Sequence, residues 1–242
     1  PIGVPSELLN EAFPEKDIAG AALYDHPDLY WVGTALASFG IIYNRDVLGV
    51  IGFDGNVPQT WADLRDYRYD SWIALADAGH SGSAGAAYDA ILRREGWVEG
   101  WKLLRDIYAN ARYFTSSSSK VPVDVSQGEA AAGMCIDFYG RFQAGAIAQD
   151  RLGYVDPVGK TAVNADPISI LRGAPSMKTD ALEPGLARQF VLWTISKEAQ
   201  RLWQREAKPG VEGFPEKFEL RRLPIRRDVY NPEERQNWVD ED

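Results

Sequence analysis

A run of serine and glycine near the middle of the chain could bind an anion. Ser81, Gly82 and Ser83 follow a short apolar run, residues 72–76, and precede a helical pattern that begins near Ala84. Free N–H groups and the dipole at a helix N-terminus attract negative charge, and the serine hydroxyls add hydrogen-bond donors. The segment therefore predicts an anion-binding turn. In the simpler alternative, Ser83 only caps the helix and the glycines only form the turn.

The same turn could instead carry the nucleophile of a serine hydrolase. Residues Gly79 to Ser83 are similar to the G-x-S-x-G motif of a strand–turn–helix, with Ser81 as the nucleophile. Ser83 replaces the last glycine of that motif, and a triad would need His26 or His80 as the base. Because His80 adjoins Ser81 in sequence, it is poorly placed to accept the proton, so the hydrolase stays an alternative.

A second set of polar residues follows the small-residue run 130–136, which predicts a buried strand. Asp137, Tyr139 and Arg141 come where that strand ends and a helix begins. Ligands of open α/β sheets bind at the carboxyl ends of strands. Carboxylate and phenolate oxygens suit a hard cation such as iron(III), whereas Arg141 suits an anion. Alternatively, Tyr139 packs in the core and Asp137 caps the helix.

Most of the eight tryptophans fall on apolar faces of predicted helices. Trp97 and Trp101 share one such face of a helix predicted over residues 97–110, which indicates a buried stripe. Trp31 differs because it stands close to Gly33 at the start of an apolar run. It would either line a ligand cleft or pack in the core.

Strands and helices alternate along the chain and would position these residues. Buried strands are predicted at 31–43, 72–76, 130–136 and 168–172, a loop at 151–166, and the longest helix from near Pro184 to near Ala207. Such alternation indicates an α/β layered fold with a mostly parallel sheet.

Composition excludes several classes of protein. The 242 residues include 26 Lys and Arg against 35 Asp and Glu, a formal net charge of −9 that disfavours nucleic acid as a partner. No apolar run approaches the length that a membrane-spanning helix needs. A single cysteine, Cys135, excludes an internal disulfide and is expected to be an inert buried thiol. Two histidines exclude a zinc site of the usual Cys/His kind.

Short motifs over residues 30–230 together resemble the bacterial extracellular solute-binding proteins of ABC importers. The resemblance is closest to the iron(III)-binding branch with the type II periplasmic-binding fold. The order and spacing of the motifs make it specific. In chain order they are Trp31–Gly33, Ile42–Leu48, Pro58–Leu64, Ile73–Asp77, Ser81–Ser83, Gly100–Trp101, Gln127–Glu129, Ile170–Pro175, Phe190–Gln200 and Leu223–Val229.

The resemblance implies a two-lobed α/β fold with mixed, mostly parallel sheets. Residues 1–30 would belong to lobe one, 31–165 to lobe two with a hinge strand, 166–210 to lobe one again, and 211–242 would pack on lobe two. Lobe one would be incomplete, because family members have a long segment before the point where this chain begins. No signal peptide is present in the chain, which starts Pro-Ile-Gly-Val, so a processed product or a fragment is expected. A missing N-terminal segment or a second chain would complete it.

For function, the resemblance implies the substrate-binding component of an ABC importer and not an enzyme. The protein would capture iron(III) with a synergistic anion, or another small anionic solute, in an interlobe cleft in the periplasm or outside the cell. It would then deliver the solute to a membrane permease, with no resident cofactor. A structural or partner-docking fragment without a ligand is a further alternative.

The resemblance also assigns roles to residues. Ser81, Gly82 and Ser83 would offer their helix N-terminus to the anion. Iron binders carry adjacent tyrosines at the positions that match Phe138 and Tyr139, so one phenolate is absent here. Tyr139 and Asp137 are then the candidate metal ligands, Arg141 an anion ligand, and Trp31 a wall of the cleft.

Overall fold

The computed structural model describes residues 1–146, 150–172, 174 and 185–240. The chain divides into two compact units. Unit 1 comprises Pro1–Ala37 and Val163–Asp242, and unit 2 comprises Ser38–Ala162.

The strands and helices have the following bounds. The strands are β1 (Asp17–Ile18), β2 (Ala21–Ala22), β3 (Trp31–Asn44), β4 (Ile73–Ala76), β5 (Ala111–Thr115), β6 (Ala132–Ile136), β7 (Leu152–Val155) and β8 (Val163–Ser169). The helices are α1 (Ser6–Ala12), α2 (Arg45–Val50), α3 (Gly82–Glu95), α4 (Trp97–Ala109), α5 (Lys120–Ser126), α6 (Asp137–Ala146), α7 (Leu186–Thr194), α8 (Lys197–Arg201) and α9 (Pro232–Arg235). Short 3₁₀ helices cover Trp61–Arg65, Tyr67–Tyr69 and Arg227–Val229.

Unit 2 is built on a mixed sheet in the order β5-β4-β6-β3-β7. The pairs β5–β4 and β4–β6 are parallel, and the pairs β6–β3 and β3–β7 are antiparallel. All residues of β4 and β6 are buried, as expected of strands covered on both faces. The α/β class and the mixed sheet are confirmed; along this strand order two pairs are parallel and two are antiparallel, where mostly parallel pairs were expected.

Two stretches of the chain differ from the sequence-based expectation. The predicted loop 151–166 contains β7 and most of β8, and the strand expected at 168–172 ends at Ser169. These strands lack a strong apolar run and are defined by their pairing with β3, which local patterns do not reveal. The long helix is interrupted after α7, because Ser196 starts α8 and its Oγ accepts a hydrogen bond from the Ala199 N–H at 3.2 Å. Its predicted start at Pro184, and Gly173 and Pro175 of the motif, lie outside the described residues.

The C-terminal segment belongs to unit 1, which corrects its assignment to lobe two. Leu223 forms a β-bridge with Leu36, and Ile225 lies in one buried apolar cluster with Val32. The Arg227 guanidinium donates two hydrogen bonds to the Glu15 carboxylate. The boundary also moves, because unit 2 begins at Ser38 and not at residue 31.

Gly133 lies where the central strand β6 meets α5 and β4. A Cβ at this position would overlap Val121 Cγ1 and lie 2.9 Å from the Ala74 carbonyl oxygen. Gly133→Ala should therefore lower the free energy of unfolding by about 1–3 kcal/mol, measured by urea denaturation. The matched control is Gly49→Ala in α2, where a Cβ meets nothing within 4 Å and stability should be unchanged or slightly higher. Equal stability of the two variants would contradict this account of the sheet's packing.

Candidate functional site

Three segments of unit 2 follow the carboxyl ends of parallel strands. The strands β5, β4 and β6 run in the same direction, so the segments 77–83, 116–119 and 137–141 leave the sheet at the same end. These segments lie close together, because Ser83, Ser118 and Ile136 surround one small gap. We call the region formed by these three segments the strand-end site.

The N-terminus of α3 forms the first wall of the strand-end site. Ser81 caps the helix, and its buried Oγ accepts a hydrogen bond from the Ala84 N–H at 3.3 Å. The cap is therefore Ser81 and not Ser83, and the helix begins at Gly82. The N–H groups of Gly82 and Ser83 belong to the first helical turn, where no acceptor exists within the helix. A Cβ on Gly82 would meet nothing within 4 Å, so the backbone here faces open space.

The hydrogen bonds around Ser81 do not form a hydrolase triad. Asp77 accepts a hydrogen bond from His80 Nδ1 at 2.8 Å and another from the Gly79 N–H at 2.7 Å, and both lower the pKa of the Asp77 carboxyl group. Within the described part of the chain, no hydrogen bond joins His80 to the Ser81 hydroxyl, which is buried in its capping role. The geometry thus leaves Ser81 without a base.

Ser118 belongs to the strand-end site and was missed from the sequence. It follows β5, is 8% exposed, and lines the same pocket as Ser83. Its neighbours Ser117 and Ser119 are exposed and join their hydroxyls at 2.8 Å. The signal was present as four consecutive serines after a strand, but assigning them to the site requires knowing that β5 lies parallel to β4.

Asp137 opens α6 and is completely buried. Neither of its carboxyl oxygens has a hydrogen-bond partner within the described structure. Burial raises the pKa of Asp137 to about 7, against smaller opposing effects of the nearby Phe138 and Ser38 N–H groups and of Arg141.

Arg141 pairs with Asp156, which follows β7, and its expected role as an anion ligand stays a prediction. Its Nη2 donates to Asp156 Oδ2 at 2.7 Å, and its side chain is only 14% exposed. Asp156 Oδ1 also accepts from Ser38 Oγ at 2.7 Å and from the Tyr154 hydroxyl at 2.9 Å. The Nε atom of Arg141 is buried and has no hydrogen-bond partner among the described residues. Asp156, Ser38 and Tyr154 carried no signal in the sequence, because their contacts join two separate strands, β3 and β7, with helix α6.

The candidate metal ligands lie in different environments. Tyr139 is 39% exposed and its ring packs against Phe138 with centroids 4.4 Å apart, whereas Asp137 is buried. Among the described residues, no cluster of three or more His, Cys, Asp or Glu side chains could hold a metal ion. A metal site at Tyr139 and Asp137 therefore stays a prediction.

Two other predicted residues lie within the strands β3 and β6. Trp31 is the first residue of β3, is partly buried, and belongs to unit 1, so it is not part of the strand-end site. Its role in a cleft wall stays a prediction. Cys135 is a free, buried thiol inside β6, and burial raises its pKa.

A larger open cavity of about 620 Å³ lies elsewhere in unit 2, against the two 3₁₀ helices that follow Thr60. Its two arginines are paired with its own aspartates, Arg65 with Asp106 at 2.7 Å and Arg68 with Asp66 at 2.6 Å. Because these charges are already neutralised, the cavity is a weaker candidate for solute binding than the strand-end site.

None of the helices in the described part of the chain is long and apolar enough to span a membrane.

Residues 8–228 match the family described as bacterial extracellular solute-binding protein. An uncharacterised protein of Haemophilus influenzae is 28% identical over 170 residues, covering 65% of this chain and 46% of that protein. The phosphoglycerate transport regulatory protein PgtC of Salmonella typhimurium is 25% identical over 171 residues, covering 71% and 40%. The chain thus spans less than half the length of these curated relatives.

Solved structures share the fold at low sequence identity. The periplasmic binding protein AfuA of Actinobacillus pleuropneumoniae, with exogenous fructose-6-phosphate bound, has a TM-score of 0.63 at 23% identity, covering 74% of this chain and 53% of that one. The apo ferric ion-binding protein A of Pasteurella haemolytica has a TM-score of 0.64 at 12% identity, covering 93% and 63%. Iron-bound HitA of Pseudomonas aeruginosa has a TM-score of 0.57 at 18% identity, covering 82% and 58%.

Proposed function

Because the chain belongs to the bacterial extracellular solute-binding protein family, with the fold of type II periplasmic-binding proteins, we propose that it captures a small anionic solute for an ABC importer. The importer's permease in the membrane is then its protein partner, and the periplasm or the cell exterior its location. That the solute lies in a cleft between two lobes stays a prediction.

The N-terminus of α3 is the observation that carries this proposal. It combines N–H groups of a first helical turn, which have no acceptor within the helix, with open space at Gly82 and the hydroxyl of Ser83, and Ser118 supplies a second hydroxyl nearby. No acidic residue lies in the first turn of this 14-residue helix, so its positive end is not neutralised from within. A phosphate or carboxylate group fits this set of donors.

Two of the similar proteins support an anionic solute, and a third supports iron. AfuA was solved with a sugar phosphate, PgtC is described by phosphoglycerate transport, and HitA was solved with iron. Iron(III) with a synergistic anion remains the second candidate, because the anion would use the same helix N-terminus. The metal would then depend on Tyr139, since Phe138 offers no oxygen ligand.

Calorimetric titration with inorganic phosphate tests the proposal. We expect saturable binding by the parent chain, and Ser83→Ala should weaken it about 5-fold or more because a hydroxyl donor to a charged group is lost. The control is Ser196→Ala, which removes the serine cap of α8 in unit 1 and should leave phosphate affinity unchanged. Absence of binding to inorganic phosphate and to iron(III) with phosphate would contradict the proposed function.

A further inference from the structure

Helix α4 exposes an apolar stripe that nothing in the described structure covers. Trp97 and Val98 are 70% and 62% exposed, and Trp101, one turn further along the helix, is 42% exposed. The two indole rings contact each other edge to face, with their centroids 5.6 Å apart. Because a contiguous exposed patch of large apolar side chains is typical of an interaction surface, the stripe indicates that this helix has a partner.

The stripe continues into an open groove that reaches the edge of the sheet. The groove has a volume of about 400 Å³ and is lined by Val98, Trp101, Lys102, Arg105 and Tyr108. The Tyr108 ring contacts Phe114 of β5 with centroids 5.3 Å apart, and β5 is the last strand in the sheet order. We define the α4 face as the surface formed by Trp97, Val98, Trp101, Arg105, Tyr108 and Phe114.

The charges of the groove limit what can cover it. Lys102 is already paired with Glu99 at 2.7 Å. Arg105 is 78% exposed and pairs at 3.6 Å with Asp106, which also pairs with Arg65 at 2.7 Å. The guanidinium of Arg105 is therefore available to a partner. A guanidinium group stacks favourably on the face of an aromatic ring, and most favourably on that of tryptophan.

The α4 face itself contains both members of such a contact. Trp97 and Arg105 lie on the same side of the helix, each four residues and so about 6 Å from Trp101 along the axis. When two copies of α4 pack antiparallel about a twofold axis at Trp101, the indole of Trp97 in each copy meets the guanidinium of Arg105 in the other. The face is thus complementary to itself, whereas a partner that offered only negative charge would match Arg105 and leave the indole of Trp97 unpaired.

We propose that the α4 face is a homodimer interface, in which α4 packs antiparallel against α4 of a second copy of the chain. This interface goes beyond the proposed function, since its formation requires no solute. One short helix and a strand residue make a small interface, so we expect a weak dimer with a dissociation constant of about 10–100 μM. The tryptophan and arginine contacts should supply most of the affinity. Stability measured well below this concentration refers to the monomer.

Sedimentation velocity of the parent chain from about 5 to about 500 μM tests the interface. The weight-average mass should rise from that of a monomer towards that of a dimer. Trp101→Glu places two carboxylates at the twofold axis and should weaken association about 10-fold or more. The matched control is Phe190→Glu, because Phe190 is an equally prominent aromatic residue, 54% exposed on α7 of unit 1, and its substitution should leave association unchanged.

An exchange of two residues tests the antiparallel arrangement. Trp97→Arg brings two guanidinium groups together and should weaken the dimer about 5-fold or more. Adding Arg105→Trp to this variant restores a ring opposite each guanidinium, so it should recover most of the lost affinity. Circular dichroism melting verifies that each variant is folded. A parent that stays monomeric at about 500 μM, a dimer dissociated by Phe190→Glu but not by Trp101→Glu, or a double variant no tighter than Trp97→Arg alone would each overturn the proposal.

Discussion

At pH 8, Asp137→Asn should be more stable to unfolding than the parent chain by up to about 4 kcal/mol. Burial raises the pKa of Asp137 from 3.8 to about 7, so the folded protein holds a proton that the unfolded chain releases more easily. Below about pH 4 the carboxyl group is protonated in both states and no stability is lost. As the pH rises through 7, the favourable effect of that proton is lost, and above pH 7 the full cost of a buried charge remains.

Urea denaturation at pH 4, 5.5, 7 and 8 measures this difference. Because Asn does not titrate, the stability gap between variant and parent should grow between pH 4 and pH 7 and then become constant. Asp46→Asn, at an exposed carboxylate, should differ from the parent by less than about 0.5 kcal/mol at every pH. A variant that is less stable than the parent at pH 8 would show that the folded protein solvates the Asp137 carboxylate well.

A stabilising substitution at Asp137 would also bear on the solute. Natural proteins retain residues that lower stability where function requires them. A gain in stability together with a loss of affinity for phosphate, or for iron(III) with phosphate, in the same variant would indicate that Asp137 is retained for binding. A gain in stability with unchanged affinity would indicate that Asp137 lowers the stability of the fold without contributing to binding.

The elements of unit 2 that could be predicted from the sequence are those with a complete local signal. β4 and β6 are short apolar runs between loops, and α3 ends at Gly96, whose positive φ of 82° suits glycine. The anion-binding turn was predictable for the same reason, because strand, turn and helix follow one another within a few residues.

Helix α4 shows where periodicity fails. The sequence indicates a buried stripe through Trp97 and Trp101, but these side chains are 70% and 42% exposed. The buried face instead contains Leu103, Leu104 and Ile107. Both faces of the helix are apolar, so the pattern alone cannot select the one that is buried.

The polar part of the site could not be predicted because its contacts are distant in sequence. Asp156 joins Arg141, Tyr154 and Ser38, and the contact with Ser38 spans 118 residues. The burial of Asp137 likewise depends on β3 lying beside β6, with Phe39 opposite Ile136. Sequence supplied the residue types at these positions, whereas the sheet order determined which of them meet.

Trp61 contrasts with the exposed tryptophans of α4, and its removal should be among the most damaging single substitutions. It is 2% exposed, and its indole N–H donates to the Lys160 carbonyl oxygen at 2.8 Å. The local sequence directs it inward, because Asp63 accepts hydrogen bonds from the Gln59 and Thr60 N–H groups, both at 2.8 Å, and so fixes the start of the 3₁₀ helix.

Trp61→Ala should lower the free energy of unfolding by about 3–5 kcal/mol, because it leaves a large cavity and an unpaired carbonyl group. Trp61→Phe keeps most of the apolar contact but loses the hydrogen bond, so its loss should be smaller, about 1–3 kcal/mol. Trp97→Ala, at a side chain that is 70% exposed, provides the control and should cost less than about 1 kcal/mol. The Thr161 hydroxyl, next to Lys160, donates to the Phe39 carbonyl oxygen at 2.6 Å. Loss of the hydrogen bond from Trp61 to Lys160 should weaken the attachment of this segment. Amide hydrogen exchange in Trp61→Phe should therefore increase first around residues 157–162. Similar losses for Trp61→Ala and Trp97→Ala would mean that unit 2 is not packed around Trp61.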